Sequence, residues 1–242
     1  MANIALLIAG GAGARMHQNI PKQFLTVNER PVIVYTLEAF QQHPEIDEIA
    51  VVCIHGWEPV LLAYADQFNI TKLKYVVPGG ENGQESIKNG VFELEKHYRD
   101  DDIVLIHDGA RPFVSHAIIN ETIEVAKQKK AAVVGVPVRD TIKVVENGVV
   151  KNTPARETLW SAQTPQTFDK DLILRAYENA YQKNFYGTDD SMLVEFLGQE
   201  VTMVLGSYEN IKITNPEDIN VAEQILDLRK KSKVGKRIKK IG

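Results

Sequence analysis

Short apolar runs alternate with stretches of helical periodicity along almost the whole chain. The runs predict strands at 3–9, 48–54, 73–77, 102–106, 132–138, 200–205 and 209–213. Between them, apolar residues recurring every three or four positions predict helices near 31–42, 57–68, 84–98, 116–129, 170–182, 188–197 and 216–230. This alternation builds βαβ units. It predicts an α/β fold with a mostly parallel sheet and helices on both faces. In such a sheet, ligands bind outside the carboxyl ends of the strands. Residues 141–151, TIKVVENGVVK, break the pattern, because Asn147-Gly148 between two short apolar runs is a hairpin signal. A lone hairpin is marginally stable, so it packs either as a flap on its own domain or as an arm reaching a second subunit.

Neither a linker nor an internal repeat is visible, and 242 residues suffice for one large α/β domain or two small ones. The 44% apolar and 25% charged content is that of an ordinary soluble protein. Cys53 is the single cysteine, which excludes an internal disulfide framework and fits a reducing compartment. The first apolar run is short and lacks a basic leader, and no run is long enough to cross a bilayer, so the expectation is a cytoplasmic protein with no membrane partner. The net charge of −4 hides a split. Residues 229–242 hold eight of the 28 Lys and Arg and no acid, leaving residues 1–228 with 20 basic against 32 acidic residues, a net of −12. The tail reads as a solvated, disordered extension, and the acidic body argues against a nucleic-acid partner.

The first strand runs into glycines and cations: IALLIAGGAGARMHQNIPKQF, residues 4–24. Glycines without Cβ atoms let a ligand approach backbone N–H groups, and Arg15 and Lys22, seven positions apart, suit a ligand with several negative charges. The third glycine of a dinucleotide fingerprint would fall on Met16, and no Gly-Lys-Ser/Thr follows, so both familiar glycine loops are excluded. What remains is an anion loop of another kind, or a strand-to-helix turn that binds nothing. In DDIVLIHDGARPF, Asp108 ends a predicted strand, where it either holds Mg²⁺ against phosphate oxygens or caps a turn. Arg111 is placed to meet a second anion. His107 reads as a packed strand-end residue, since no His or Cys stands at ligand spacing from it.

Arg139, Asp140 and Thr141 sit at the root of the hairpin, and Arg156 and Thr164 flank the pair Leu159-Trp160. In YENIKITNPED, alternation places Asn210, Lys212 and Thr214 on one face of a strand and Ile211 and Ile213 on the other. Several cations, one carboxylate and no activated Ser, Cys or His suit phosphoryl chemistry, in which positioning and charge stabilisation dominate. An acceptor that is already a phosphate anion needs no general base. It does need cations to hold two anions together.

Seven segments, in order, carry a resemblance over nearly everything up to residue 228: AGGAGARM, PKQF, HDGARPF, VPVRDT, LWSAQTPQTF, GTDDSMLVE and NIKITNPED. The chain resembles the cytidylyltransferases that join CTP to a sugar-alcohol phosphate, whose members act on 2-C-methyl-D-erythritol 4-phosphate or ribitol 5-phosphate. The resemblance implies one Rossmann-like α/β domain over residues 1–228. A protruding β-hairpin arm at about 138–158 would complete the partner's site in a homodimer. It also implies Mg²⁺-dependent displacement at the α-phosphorus of CTP. Matched by motif, Ala9, Gly10, Gly11 and Gly13 would cradle the nucleotide with Gly80, Glu81 and Ser86 around the cytidine. Arg15, Lys22 and Lys212 would stabilise the reacting phosphates, and Asp108 would bind the metal. Arg111, Asp140, Thr141, Arg156 and Thr164 would meet the acceptor, Thr141 and Arg156 from the partner's arm.

The chain departs from the family between the double glycine and Ser86, where the common arginine is replaced within Asn82-Gly83-Gln84-Glu85. The Ala9-Gly10-Gly11 turn looks more like the ribitol enzymes, whereas the Arg15-to-Lys22 spacing and HDGARPF look more like the methylerythritol enzymes. Methylerythritol phosphate, and with it isoprenoid biosynthesis, is the favoured expectation over ribitol 5-phosphate and cell-surface polymers. Two other classes remain as alternatives: a nucleotide-binding regulatory protein without catalysis, and a dinucleotide oxidoreductase, which the missing glycine disfavours.

Overall fold

The computed structural model describes residues 1–11 and 20–238. In chain order, the elements begin with β1 (Asn3–Ala9), the small β2 (Thr26–Val27) and β3 (Arg30–Pro31), α1 (Val32–Gln41), β4 (Glu48–Cys53), α2 (Glu58–Gln67) and β5 (Leu73–Pro78). Next come α3 (Gly83–Glu95), β6 (Ile103–Asp108), α4 (His116–Lys129) and β7 (Ala131–Pro137). Then follow β8 (Val144–Glu146), β9 (Val149–Asn152), β10 (Trp160–Asp169), α5 (Lys170–Gln182), α6 (Asp190–Phe196), β11 (Thr202–Leu205) and α7 (Glu217–Ile238).

Seven strands form one sheet in the order β11-β7-β10-β6-β1-β4-β5. All pairings are parallel except the two made by β10, which runs antiparallel between β6 and β7. The alternation of side chains along β1 shows how both faces are covered. Ala5 and Leu7 belong to a core with Ile33 and Leu37 of α1, Leu61 of α2 and Ile119 and Ile123 of α4. Ile4 and Leu6 belong to the opposite core, with Val91 and Leu94 of α3, Leu172 and Tyr177 of α5 and Leu193 of α6. A smaller cluster of Val27, Val32, Phe113, Ile213, Ala222 and Ile225 docks α7 onto the β2–β3 corner.

The chain moves from β1 to β4 and β5 on one side, then crosses to β6 on the other. The order therefore switches between β1 and β6, and the crevice of a doubly wound sheet opens at such a point. The glycine turn after β1 and Asp108 at the end of β6 flank it.

Two expectations are corrected. Residues 209–213 are not a strand. They form an extended loop held by single contacts, from Asn210 N–H to the Ser207 carbonyl (3.0 Å) and from Ile213 N–H to the Ala110 carbonyl (2.9 Å). Ile213 is nonetheless fully buried, which explains the alternation that resembled a strand. The second correction concerns the basic tail, because α7 continues through its first ten residues to Ile238. Lys and Arg are good helix formers, and cations are favoured near a helix C-terminus.

The predictions also lacked β10. Its residues, WSAQTPQTFD, are mostly polar, and Pro165 sits where the ladder to β7 shifts register between Ala162 and Gln166. Proline cannot donate to a ladder and is tolerated at such bulges. Buried Gln163 and Gln166 find partners: Gln163 Nε2 donates to the Ser207 carbonyl, and Gln166 Nε2 donates to Asp189 Oδ2. The hairpin of β8 and β9 turns at Asn147-Gly148, where both residues have positive φ. All seven of its strand residues are exposed, including Val144, Val145, Val149 and Val150.

Candidate active site at the carboxyl ends of β1 and β6

A cleft of about 860 Å³ opens at the switch point, lined by Gly10, Gly11, Lys22, Gly80, Glu81, Ser86, Asp108, Thr164 and Lys212, among others. That is the size range of a nucleotide or drug-sized ligand site. Residues from the first strand, the fifth, the sixth and the loop before the last helix thus meet in one place. Gly13 and Arg15 lie outside the described residues. Ala9, buried at the end of β1, supplies a carbonyl rather than a side chain.

Lys22 is carried on a single 3-10 turn, Lys22–Phe24, that is bolted down on both sides. Phe24 is buried, its ring 4.7 Å from that of Trp57. Gln23 turns inward, and its Nε2 donates to the carbonyls of Ala9 (2.6 Å) and Gly11 (3.2 Å). This buried amide fixes the cationic turn against the glycine turn. It was missed as a site residue, although PKQF was among the motifs that carried the resemblance.

One wall of the cleft is the N-terminus of α3. Asn82 caps the helix by accepting from Glu85 N–H (2.9 Å), and Glu85 reaches back to accept from Glu81 N–H (2.8 Å). Ser86 Oγ accepts from Gly80 N–H (2.9 Å) and donates to the Asn82 carbonyl (2.8 Å). Gly10 packs against this serine so closely that a Cβ there would sit 3.0 Å from Oγ. Ser86 therefore shapes the turn that lines the cleft.

Asp108 is the electrostatic centre. Its Oδ1 lies 2.8 Å from Lys212 Nζ and its Oδ2 3.0 Å from Arg111 Nε. Burial alone raises this carboxyl, but Lys212 and Arg111 together outweigh it and hold the group down at about 2. Arg111, expected to meet the acceptor, is instead occupied inside the protein. Besides Asp108 it donates from Nη1 to the Asn210 carbonyl (2.7 Å), and it does not line the cleft. Asn210, fully buried, donates in turn to the Thr164 carbonyl (2.9 Å).

Thr164 closes the network beneath Asp108. Its hydroxyl accepts from Asp108 N–H (3.0 Å) and donates to His107 Nδ1 (3.0 Å), while His107 Nε2–H donates to the Arg111 carbonyl (3.0 Å). Burial lowers His107 to about 4, so the ring is neutral and structural, as its sequence context suggested. Burial likewise pushes the Cys53 thiol up to about 12, which leaves it inert.

Asp140, Thr141 and Arg156 do not reach this cleft. They sit exposed at the root of the arm, where Arg156 Nη1 donates to the Arg139 carbonyl (3.1 Å). The opposite wall was not predicted at all. There Asp189 and Asp190, at the start of α6, line the cleft with Tyr177 of α5. Tyr177 OH donates to Asp190 Oδ1 (2.5 Å), and burial raises Asp190 to about 7. The signal was GTDDSMLVE, noted as a motif without roles for its acids.

The family model for IspD, 2-C-methyl-D-erythritol 4-phosphate cytidylyltransferase, matches residues 3–228. A Clostridioides difficile protein named 2-C-methyl-D-erythritol 4-phosphate cytidylyltransferase is 55% identical, over 96% of this chain and 97% of its own length. One of the same name from Syntrophotalea carbinolica is 44% identical, over 94% and 97%. Among solved structures, 4-diphosphocytidyl-2C-methyl-D-erythritol synthase of Anaerococcus prevotii superposes with a TM-score of 0.81 at 33% identity, covering 93% of this chain and 96% of that one.

The raised Asp190 has a testable consequence. Between the ordinary carboxyl range and about pH 7, the native state keeps a proton that the unfolded chain has lost, so stability falls as pH rises through this window. Asp190→Asn is expected to flatten that fall, as read from denaturant midpoints at pH 4.5 and 7.5. An unchanged slope would remove Asp190 as its source. With the matches spanning nearly the whole chain, it belongs to the IspD family of 2-C-methyl-D-erythritol 4-phosphate cytidylyltransferases.

Proposed function

We propose that this chain transfers the cytidylyl group of CTP to 2-C-methyl-D-erythritol 4-phosphate, releasing pyrophosphate, as a step of isoprenoid biosynthesis. The observation that carries the reading is the convergence of Lys22, Lys212 and Asp108 on one cleft at the switch point. An acceptor phosphate oxygen attacks the α-phosphorus of CTP as the bond to the pyrophosphate oxygen breaks. No proton need be removed from the nucleophile, which agrees with a neutral His107 and an inert Cys53. Both reactants are anions, so the barrier is lowered by cations that neutralise their repulsion and the charge of the crowded phosphorus.

In this reading Gly10 and Gly11, with Gly13 and Arg15, hold the triphosphate, and Lys22 and Lys212 bracket the reacting phosphates. Gly80, Glu81 and Ser86 form the cytidine end. Asp108 places Lys212, and Arg111 acts by holding Asp108. A single ionised carboxylate fits Mg²⁺, which is bound through one or two carboxylates plus substrate phosphates. Asp108 would hold the ion, and the ion would neutralise charge on the phosphate oxygens. Asp140, Thr141 and Arg156 do not line the cleft of their own subunit. We assign them to the site of a second copy, with Thr164 completing the acceptor side. The exposed valines of the β8–β9 hairpin support such a homodimer. No helix among the described residues is long and apolar enough to cross a membrane. With a buried, unpaired Cys53, this supports a cytoplasmic location.

Pyrophosphate release from CTP tests the activity, and Lys22→Ala and Lys212→Ala are each expected to lower kcat by about 10²–10³-fold. Full turnover in both variants would overturn the roles. Methylerythritol phosphate competed directly against ribitol 5-phosphate decides the acceptor, and equal kcat/KM for the two would defeat the narrow label. Arm exchange predicts complementation. Arg156→Ala and Lys22→Ala are each impaired alone, whereas their random mixture should recover about one quarter of wild-type activity, because one site in each mixed dimer is intact. No recovery would place Arg156 in its own subunit's site.

A further inference from the structure

The cleft has a rim that phosphate chemistry does not use. Between α5 and α6, the loop at residues 184–188 brings Tyr186 to the cleft beside Glu81, Asn82, Gly83 and Gln84, yet Tyr186 is 71% exposed. We propose that Tyr186 is a binding residue for CTP, stacking its ring on the cytosine at the mouth of the cleft. The inference rests on the assignment of Gly80 and Ser86 to the cytidine end.

The backbone on both sides of Tyr186 is pinned. Phe185 N–H donates to the Ala180 carbonyl (2.8 Å), and its ring stacks on Phe196 with centroids 3.9 Å apart. Gln84, in the first turn of α3, clamps the loop at two points. Its Nε2 donates to the Phe185 carbonyl (3.1 Å), and its Oε1 accepts from Gly187 N–H (3.0 Å). Gly187 leaves no room for a side chain, since a Cβ there would lie 2.7 Å from Leu193 Cδ2. Tyr186 itself makes no hydrogen bond or ring contact among the described residues. The loop is thus built to hold a ring that packs against little of its own fold.

The backbone that carries the ring is preorganised, so binding has only the ring's own rotamer left to order when a base arrives. The helix end that sets the loop through Gln84 also carries Ser86, so the base-side turn and the aromatic rim are positioned together. No Lys or Arg occurs between Val77 and Lys88, so this segment offers no cation for the nucleoside end. Aromatic stacking suits it, because a base presents a π face whatever its charge.

Titration of the full-length protein with CMP and with inorganic pyrophosphate separates the base from the phosphates. Tyr186→Ala is expected to weaken CMP and CTP by the same factor, roughly tenfold, without changing pyrophosphate affinity or the acceptor KM. Tyr186→Phe, which keeps the ring, is expected to bind CMP as wild type does. Unchanged CMP affinity in Tyr186→Ala, or Tyr186→Phe as weak as Tyr186→Ala, would overturn the stacking. A wild-type protein that released no pyrophosphate from CTP would overturn the proposed function instead, so the two failures are distinguishable.

Discussion

Asp108 is four-fifths buried at the end of β6, and a carboxylate in that position persists as an anion only with compensating charge and hydrogen bonds. Lys212 and Arg111 supply the charge, and Thr164 accepts the main-chain N–H of the same residue. The pairing ties the end of β6 and the bulge of β10, which share a ladder, to the loop before α7, which no ladder connects to either. Geometry at the cleft follows from it. Lys212 is placed by Asp108, Asp108 is braced by Arg111, and Arg111 is anchored on the main chain of a fully buried asparagine. Removing any one partner leaves another charge poorly compensated, which is how a small cationic site acquires a fixed geometry.

Much of this was legible in the sequence because it obeys periodicity. The parallel strands and the seven helices follow runs and spacings that report burial directly, and α4 and α5 match their expected limits. What escaped is governed by polar satisfaction instead. In β10, buried Gln163 and Gln166 are stabilised by partners more than 20 residues away, so no local pattern announces a strand. Residues 209–213 show the converse, with a strand-like alternation produced by one buried isoleucine in a loop.

The site divides along the same line. Asp108 was readable as a place in the cleft because a carboxylate at a strand end beside a glycine has few structural reasons to be there, and Lys22 and Lys212 because they stand in motifs that carried the resemblance. The internal partners of Arg111 could not be read, because its sequence neighbours do not reveal that the Asn210 carbonyl, 99 positions away, would accept its hydrogen bond. The acids of α6 and the amide of Gln23 were visible only as members of motifs. Nothing near them in sequence says that the cleft has a second wall, or that an amide joins two turns.

The insertion of β10 between β6 and β7 also dictates an order of assembly. Strands β1, β4, β5 and β6 have all their mutual partners within the first 108 residues and can pair as the chain is made. Strand β7 has no hydrogen-bonded strand neighbour until residue 160, since both of its partners, β10 and β11, come later. Lys212 lies beyond all of them. The cation that completes the Asp108 pair is therefore the last piece of the cleft to arrive, and a chain ending before it would have a nearly finished sheet around an unfinished centre. The charge balance of the cleft is coupled in this way to a late segment: Asp108 gains its second cation only when the loop before α7 docks.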